Sequence, residues 1–318
     1  MSGHLFTKVA KGLAIGVTGL VAGMILAEGG LPKPSTRRLW REARAAGQPW
    51  WRFAHTYAYA RWPNGFIGSA IGERLELLIL RPLFAPFLRK LAFQPHRWAD
   101  GYHGKTMPTP DARRLVQVRE EVHMTVPEQV IPFESARHLI LSQPDHIVVL
   151  DCPCRIARKK PCLPLDVCLI VGEPFASFVL EHHPYRSRAI SSEEAVQILE
   201  AEAERGHVHL AFFKQAMLDR FYAICNCCAC CCGAIGAQRS GVPMVISSGY
   251  VARVDEASCR ACGTCAERCP FAAIRVASVA QVDAAACMGC GVCVRACPVQ
   301  ALALARDESK PAPLELPA

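Results

Sequence analysis

Several short motifs that mark common cofactors are missing from this chain. No Gly-x-Gly-x-x-Gly, Walker loop or His-Glu-x-x-His occurs in its 318 residues, so flavin, nicotinamide and nucleotide binding have no sequence support. None of the usual nucleic-acid recognition motifs is present, and no cleavable signal is evident. A long apolar run is missing too. The nearest approach is Gly12 to Ala27, sixteen uncharged residues with Lys8 and Lys11 before them and Glu28 after. As a helix it would reach about 24 Å, short of a hydrocarbon core of about 30 Å. Snorkelling lysines and local thinning could close that gap, and Gly12, Gly16, Gly19 and Gly23 would permit close helix contact. Yet 51% of residues are hydrophobic and mean hydropathy is +0.16, high for a purely soluble protein.

What the chain has in abundance is cysteine, eighteen in all. They crowd as Cys-x-Cys and Cys-Cys-Cys in a long chain, which suits metal ligation in a reducing compartment better than disulfides. The C-terminal eight carry the clearest pattern. Cys259, Cys262, Cys265 and Cys269-Pro270 recur 28 positions later as Cys287, Cys290, Cys293 and Cys297-Pro298. Val254-Asp255 likewise returns as Val282-Asp283, so a half-module is duplicated. Each run is the bacterial ferredoxin pattern, in which three close thiolates grip one cubane and the fourth ligates the other. Cys259, Cys262, Cys265 and Cys297 are therefore expected to hold one 4Fe–4S cluster, and Cys287, Cys290, Cys293 and Cys269 the second. Zinc closes with four ligands and gains nothing from a doubled pattern of eight. Phe271 and Val299, just after the Cys-Pro pairs, are expected to wall the clusters from water.

Ten cysteines lie upstream: Cys152, Cys154, Cys162 and Cys168, then Cys225, Cys227, Cys228, Cys230, Cys231 and Cys232. Burial explains a lone cysteine but not six within eight positions, so a metal centre is expected: further iron–sulfur clusters, with zinc the lesser alternative. Ten thiolates could fill two cubanes with two to spare, or two irregular clusters of five. The loop between Cys154 and Cys162 carries Arg155, Arg158, Lys159 and Lys160, an ordinary solvated loop or compensation for an anionic cluster. His182, His183, His207 and His209 are candidate outer ligands, with ordinary surface or core histidines the preferred reading.

The segments Asp151-Cys-Pro-Cys-Arg155, Asp166-Val-Cys-Leu-Ile-Val-Gly-Glu-Pro-Phe175 and Ile224-Cys-Asn-Cys-Cys-Ala-Cys-Cys-Cys-Gly233 precede the two-cluster module. Together they resemble a family of bacterial 4Fe–4S ferredoxin-type proteins over about residues 95–306. The resemblance implies iron–sulfur binding and electron transfer, and leaves the partner open.

The basic charge is uneven. Residues 1–125 carry 18 Lys/Arg against 8 Asp/Glu, while residues 126–318 carry 18 against 20. All five tryptophans (Trp40, Trp50, Trp51, Trp62, Trp98) fall in the basic part, as at the headgroup level of an anionic membrane. Lys33, Arg37, Arg38, Arg41 and Arg44 follow the apolar run, a bias that would keep the bulk of the chain on the cytoplasmic side of the membrane. Residues 65–91 suggest amphipathic helices, broken at Pro82 and Pro86, that lie on a membrane, a partner subunit or the main domain.

The expected fold class is α+β: a two-cluster ferredoxin module (251–306) appended to a cysteine-rich α/β domain (126–250). A candidate membrane-anchor segment (1–35), otherwise a buried or surface-lying helix, and a basic, aromatic-rich helical region (36–125) precede it, and a disordered tail (307–318) follows. A helix over Glu134–Leu141, a turn at Pro144-Asp145, strands at 146–150, 166–171 and 221–224, and a capped helix from Ser191 to Glu204 are expected within the α/β part. Two cysteine groups then fall just past strand ends, where open α/β sheets bind ligands. The leading function is single-electron transfer with redox partner proteins and a membrane surface or subunit, as a carrier or complex subunit more than a stand-alone enzyme. The alternatives are a cysteine-cluster enzyme, such as a disulfide reductase fed by its own ferredoxin module, and a ferredoxin-like subunit with structural zinc.

Overall fold

The computed structural model describes residues 19, 22–71 and 99–316. Most of the apolar run at 12–27 and of the stretch at 65–91, with Trp98, lies outside them. Residues 22–28 are helical, and no helix among the described residues is long and apolar enough to cross a membrane.

Three helices come first: α1 (Pro34–Ala45), α2 (Trp50–Arg61) and α3 (Pro63–Ile71). The α/β part follows as β1 (Tyr102–Met107), α4 (Thr109–Val116), β2 (Val122–Thr125), β3 (His138–Asp151), α5 (Pro153–Ile156), β4 (Asp166–Glu173), α6 (Phe175–His182), β5 (Ser187–Ile190), α7 (Ser192–Glu204), β6 (Val208–Lys214), β7 (Arg220–Cys227), α8 (Gly233–Arg239) and β8 (Val245–Ile246). The strands form one curled sheet in the order β2-β3-β4-β7-β6-β1-β8, with β5 also on β3. Most neighbours are antiparallel. The fold is thus mixed helix and strand, as α+β requires.

Continuous apolar runs such as Ile147-Val148-Val149-Leu150 mark a sheet covered on both faces. Ile147, Val149, Leu169, Ala211, Phe213 and Ile224 face a core closed by α4 and α7. Val148, Leu150, Ile170, Leu210, Phe212 and Ala223 face a second core closed by α1, α2, α6 and α8. Leu39, Phe53, Tyr57 and Tyr59 of the basic, aromatic N-terminal helices are buried there. These helices form a layer of the main domain.

Several sequence expectations shift. The α/β part begins at Tyr102, not Val126, because the polar-looking β1 is buried and pairs with β6. Its Lys105 donates to the carbonyls of Val130 (3.1 Å) and Ala312 (2.6 Å). The helix expected at Glu134–Leu141 is the start of β3: Leu139 and Leu141 are buried alternately against β2, a period of two. Pro144-Asp145 is an irregularity inside β3, between Ser142 and Ile147, and not a turn. The capped helix is α7, with Ser191 Oγ accepting from the Glu194 N–H at 3.2 Å. The tail expected to be disordered is laid on the domain through residue 316, with Ala312, Leu314 and Leu316 against the α4–α7 core.

The C-terminal module comprises β9 (Tyr250–Val254), α9 (Thr264–Arg268), β10 (Ile274–Val276), β11 (Ala280–Val282), α10 (Val292–Ala296) and β12 (Leu302–Arg306), with β9 antiparallel to β12 and β10 to β11. The duplication extends to the backbone. Positive φ recurs at the 28-residue offset in Ala261 and Gly289, Gly263 and Gly291, and Ala272 and Gln300. Gly289 is also forced by space, since a Cβ there would lie 2.2 Å from the Tyr250 carbonyl oxygen.

One buried charge ties the cysteine-bearing edge of the sheet together. Arg155, in α5, is 1% exposed and pairs with Glu202 of α7, which is fully buried. The same guanidinium donates to the carbonyls of Pro164 and of Asn226 in β7, the latter at 3.1 Å. His207 Nδ1 completes the group, 2.6 Å from Glu202. Burial by itself raises the Glu202 pKa, but the hydrogen bonds from His207 and Arg155 outweigh it and hold the carboxyl below its ordinary value. Glu202→Ala leaves a buried guanidinium uncompensated and should lower stability by about 3–5 kcal/mol at neutral pH, read from anaerobic denaturant unfolding. Because the folded pKa is depressed, this contribution is complete above the ordinary value of 4.5 and fades as pH falls through the folded value. The gap between wild type and variant should therefore close in acid; equal midpoints at pH 7 would show that Arg155 does not depend on Glu202.

Candidate metal centres

β4 runs antiparallel between β3 and β7, so the C-terminal ends of β3 and β7 meet the start of β4 at one edge of the sheet. This brings all ten upstream cysteines to one place. The cysteines do gather at strand ends, but Cys225 and Cys227 lie within the last residues of β7 and Cys168 within β4, and the cause is antiparallel pairing and not the switch point of a parallel sheet.

The ten divide into two groups. Cys168 and Cys225 are directly paired across β4 and β7, with sulfurs 3.5 Å apart. Cys227, two residues along β7, lies 3.1 Å from the sulfur of Cys232, which precedes α8. Cys152 and Cys154 flank Pro153 at the start of α5 and hydrogen-bond each other. These six, together with Cys228 and Cys231, line a largely apolar pocket roofed by Tyr59 of α2 and Ile67 of α3 and walled by Tyr102 and Tyr222. The Tyr59 and Tyr222 hydroxyls are 3.3 Å apart. Behind them, Lys214 Nζ sits 3.2 Å from the Tyr59 ring centre and 4.5 Å from that of Tyr102, and burial depresses its pKa far below the usual lysine value.

The second group is Cys162, Cys228, Cys230 and Cys231, where the loop before β4 meets the turn after β7. The sulfurs of Cys162, Cys228 and Cys230 all lie within 4.8 Å of one another. Cys231 Sγ is 3.6 Å from that of Cys230 and accepts from the Cys162 N–H at 3.4 Å. His207 Nε2 is 3.7 Å from Cys162 Sγ, so this histidine borders the sulfurs and is not an ordinary core residue. His209 is a core residue, bonded to Asn226 Oδ1 at 2.6 Å, and His182 meets Thr36 at 2.9 Å. The basic loop is likewise not simply solvated, since Arg155 is buried and Arg158 donates to the carbonyls of Ile71 (2.9 Å) and Cys231 (3.3 Å).

Proton affinity shows what these sites require. The hydrogen bond with Cys225, and then burial, raise the Cys168 thiol well above its usual value, while that bond pulls Cys225 down. Burial pushes Cys231 up to about 12. Thiols this reluctant to ionise become thiolates on binding a cation, and binding must release their protons.

The eight ferredoxin cysteines form two further sites. Cys259, Cys262, Cys265 and Cys297 line one cleft of about 350 Å³, together with Val299. Cys269, Cys287, Cys290 and Cys293 line another of about 320 Å³, together with Phe271. Backbone N–H groups of Ala280, Ala301 and Ala273 donate to the sulfurs of Cys259 (3.4 Å), Cys297 (3.3 Å) and Cys269 (3.3 Å). Four sulfur donors around each enclosed cleft, with N–H groups aimed at them, fit a 4Fe–4S cluster. The two sites differ in exposure: Cys262 is exposed, while its counterpart Cys290 packs, with Phe271 and Met288, against the core that also holds Cys168, Cys227 and Cys232.

Sequence reasoning missed Tyr59, Tyr102, Tyr222 and Lys214. The three tyrosines reach the cavity through tertiary packing, with Lys214 against their rings, and no spacing in the chain announces them. The two cysteine groups are also interleaved in sequence, so their partition is visible only in three dimensions.

A search of the curated proteins gives no match for this chain. Residues 252–275 and 280–303 each match the 4Fe-4S binding domain family, one match per repeat. The C-terminal module is a 4Fe–4S cluster-binding, ferredoxin-type domain.

Proposed function

We propose that the chain is an iron–sulfur electron relay whose sites run from the exposed end of the ferredoxin module to the cysteine-lined cavity. The observation that carries this reading is the packing of Cys290, Phe271 and Met288 against the core of that cavity. In this reading Cys259, Cys262, Cys265 and Cys297 hold one 4Fe–4S cluster, Cys269, Cys287, Cys290 and Cys293 a second, and the six inner cysteines a third iron–sulfur centre. Bound clusters supply one-electron redox chemistry. The chain supplies ligands, N–H groups that favour the more negative reduced state, and apolar walls that exclude water. Cys262, being exposed, marks where a redox partner docks. Arg239 donates to the Pro270 carbonyl at 2.9 Å, and Arg295 pairs with Glu200 at 2.9 Å; both contacts hold the module in register with the α/β domain.

Attachment to a membrane surface belongs to the same proposal. Leu26, Leu31, Trp51 and Trp62 are exposed large apolar side chains on the N-terminal segment. Arg52 and Arg61 lie 5.5 and 5.8 Å from the Trp51 and Trp62 ring centres, and Arg37, Arg41 and Arg44 are exposed on α1. Aromatic side chains interleaved with arginines suit the headgroup layer of an anionic, cytoplasm-facing membrane.

Two experiments test these readings. Anaerobically reconstituted protein should contain clearly more than about eight irons and eight sulfides per chain, the content of two cubanes. Cys168→Ser combined with Cys225→Ser should return it to about eight; wild type already at eight, unchanged in the double variant, would remove the inner cluster. Separately, the full chain should sediment with anionic phosphatidylglycerol vesicles, less so at high salt. Trp51→Ser with Trp62→Ser should weaken that binding severalfold, and binding indifferent to both changes would reject the membrane-facing surface.

A further inference from the structure

Ten thiols gathered at one sheet edge need not serve one kind of metal. We infer that Cys162, Cys228, Cys230 and Cys231 hold a single zinc ion, distinct from any centre held by the six inner cysteines, whose cavity wall Cys228 and Cys231 share, and from both ferredoxin sites.

The argument is first one of spacing. A tetrahedral ion with metal–sulfur bonds of about 2.3 Å sets its four sulfurs about 3.8 Å apart. In a cubane each thiolate sits on a different iron, and the four spread around the whole cluster. Cys162, Cys228 and Cys230 have sulfurs mutually within 4.8 Å, and Cys231 is 3.6 Å from Cys230. The ferredoxin cysteines provide a ruler within the same molecule. Among the described residues, Cys162, Cys228 and Cys230 are the one set of three or more candidate ligands gathered this tightly. The eight cysteines of the cluster-binding module are therefore spaced for something larger than one ion, and Cys162, Cys228 and Cys230 are not; Cys231, 3.6 Å from Cys230, is the adjoining fourth donor.

The surroundings agree. Four thiolates on a divalent cation leave two negative charges. Arg158 hydrogen-bonds the Cys231 carbonyl at 3.3 Å, and Lys159 and Lys160 lie in the adjoining loop. His207 stands between Glu202 Oε2 (2.6 Å) and Cys162 Sγ (3.7 Å), the carboxylate–imidazole–ligand order that orients metal ligands. All four positions are filled by protein sulfur, so the site is closed and structural, with no vacancy for substrate. Its effect is mechanical. It clamps the loop before β4 onto the turn between β7 and α8, whose Cys227, Cys228, Cys231 and Cys232 line the inner cavity. The inference stands whether or not the inner six cysteines hold a cluster.

The test is elemental analysis of the full chain, purified anaerobically from medium containing zinc and iron, as wild type and as Cys230→Ser and Cys162→Ser. Cys230 is exposed at the tip of its turn, so its replacement costs little packing. Wild type should carry about one zinc per chain beyond its cluster iron, and each variant should lose most of it while iron and sulfide stay constant. Cobalt offered in place of zinc should give the intense visible bands of a tetrahedral thiolate site in wild type and not in Cys230→Ser. Loss of about four irons with four sulfides from either variant would mean that these cysteines hold a cluster, and would overturn the inference. So would zinc retained in both variants, or one extra iron in its place. Cys168→Ser with Cys225→Ser reports on the inner centre alone, so failure of one reading is distinguishable from failure of the other.

Discussion

The Arg155 guanidinium is the constraint on which the cysteine-bearing edge depends. It lies between the Cys152–Cys154 turn, the loop ahead of β4, α7 and the end of β7, and bonds to each of the last three. A fully desolvated arginine is tolerated only with an ionised partner and satisfied donors. Glu202 provides the first, and the carbonyls of Pro164 and Asn226 much of the second. In meeting its own electrostatic needs, Arg155 fixes the separation of the segments that carry the upstream cysteines. The same Glu202 orients His207 toward Cys162, so one carboxylate serves both the scaffold and the border of the outer sulfurs.

That arrangement explains why the duplicated motif was legible and the upstream centre only half so. At 252–303 three of each cluster's four expected ligands lie within a few residues of one another, and local spacing survives in a sequence. The strands at 146–150, 166–171 and 221–224 were legible as well, because sheets covered on both faces need unbroken apolar runs. β1 was not: Lys105 and Thr106 look solvent-facing until the fold supplies Val130 and Ala312 carbonyls for the lysine. The helix expected at Glu134–Leu141 failed for a related reason. Over only eight residues the helical reading had little to rest on, and Leu139 and Leu141, two apart, follow the strand period that pairing with β2 imposes.

The partition of the ten cysteines depends on longer-range geometry. Cys225 and Cys227 belong to the cavity because β7 alternates its side chains and Cys168 lies opposite on β4. Cys228, Cys230 and Cys231 lie beyond the strand, where the chain turns and alternation stops. Cys232, capping α8, points back to Cys227. One run of six cysteines is therefore split by the end of a strand, which composition cannot reveal.

Exposure gives the molecule a direction. At one end Cys262 is open to solvent; its counterpart Cys290 is covered, and beyond it the inner cysteines lie beneath Tyr59 and Tyr222. The N-terminal helices are essential to this gradient, because without α2 and α3 the cavity would lose Tyr59, Ala60, Pro63 and Ile67 and open to water. Water at a cluster stabilises charge and alters potential, so a dry inner site and a wet outer one would differ even with identical ligands. The basic aromatic segment thus has two faces with different consequences. One closes the inner site; the other, bearing Trp51, Trp62 and exposed arginines, faces away from it, so under the proposed function an anionic surface there would leave the cavity undisturbed.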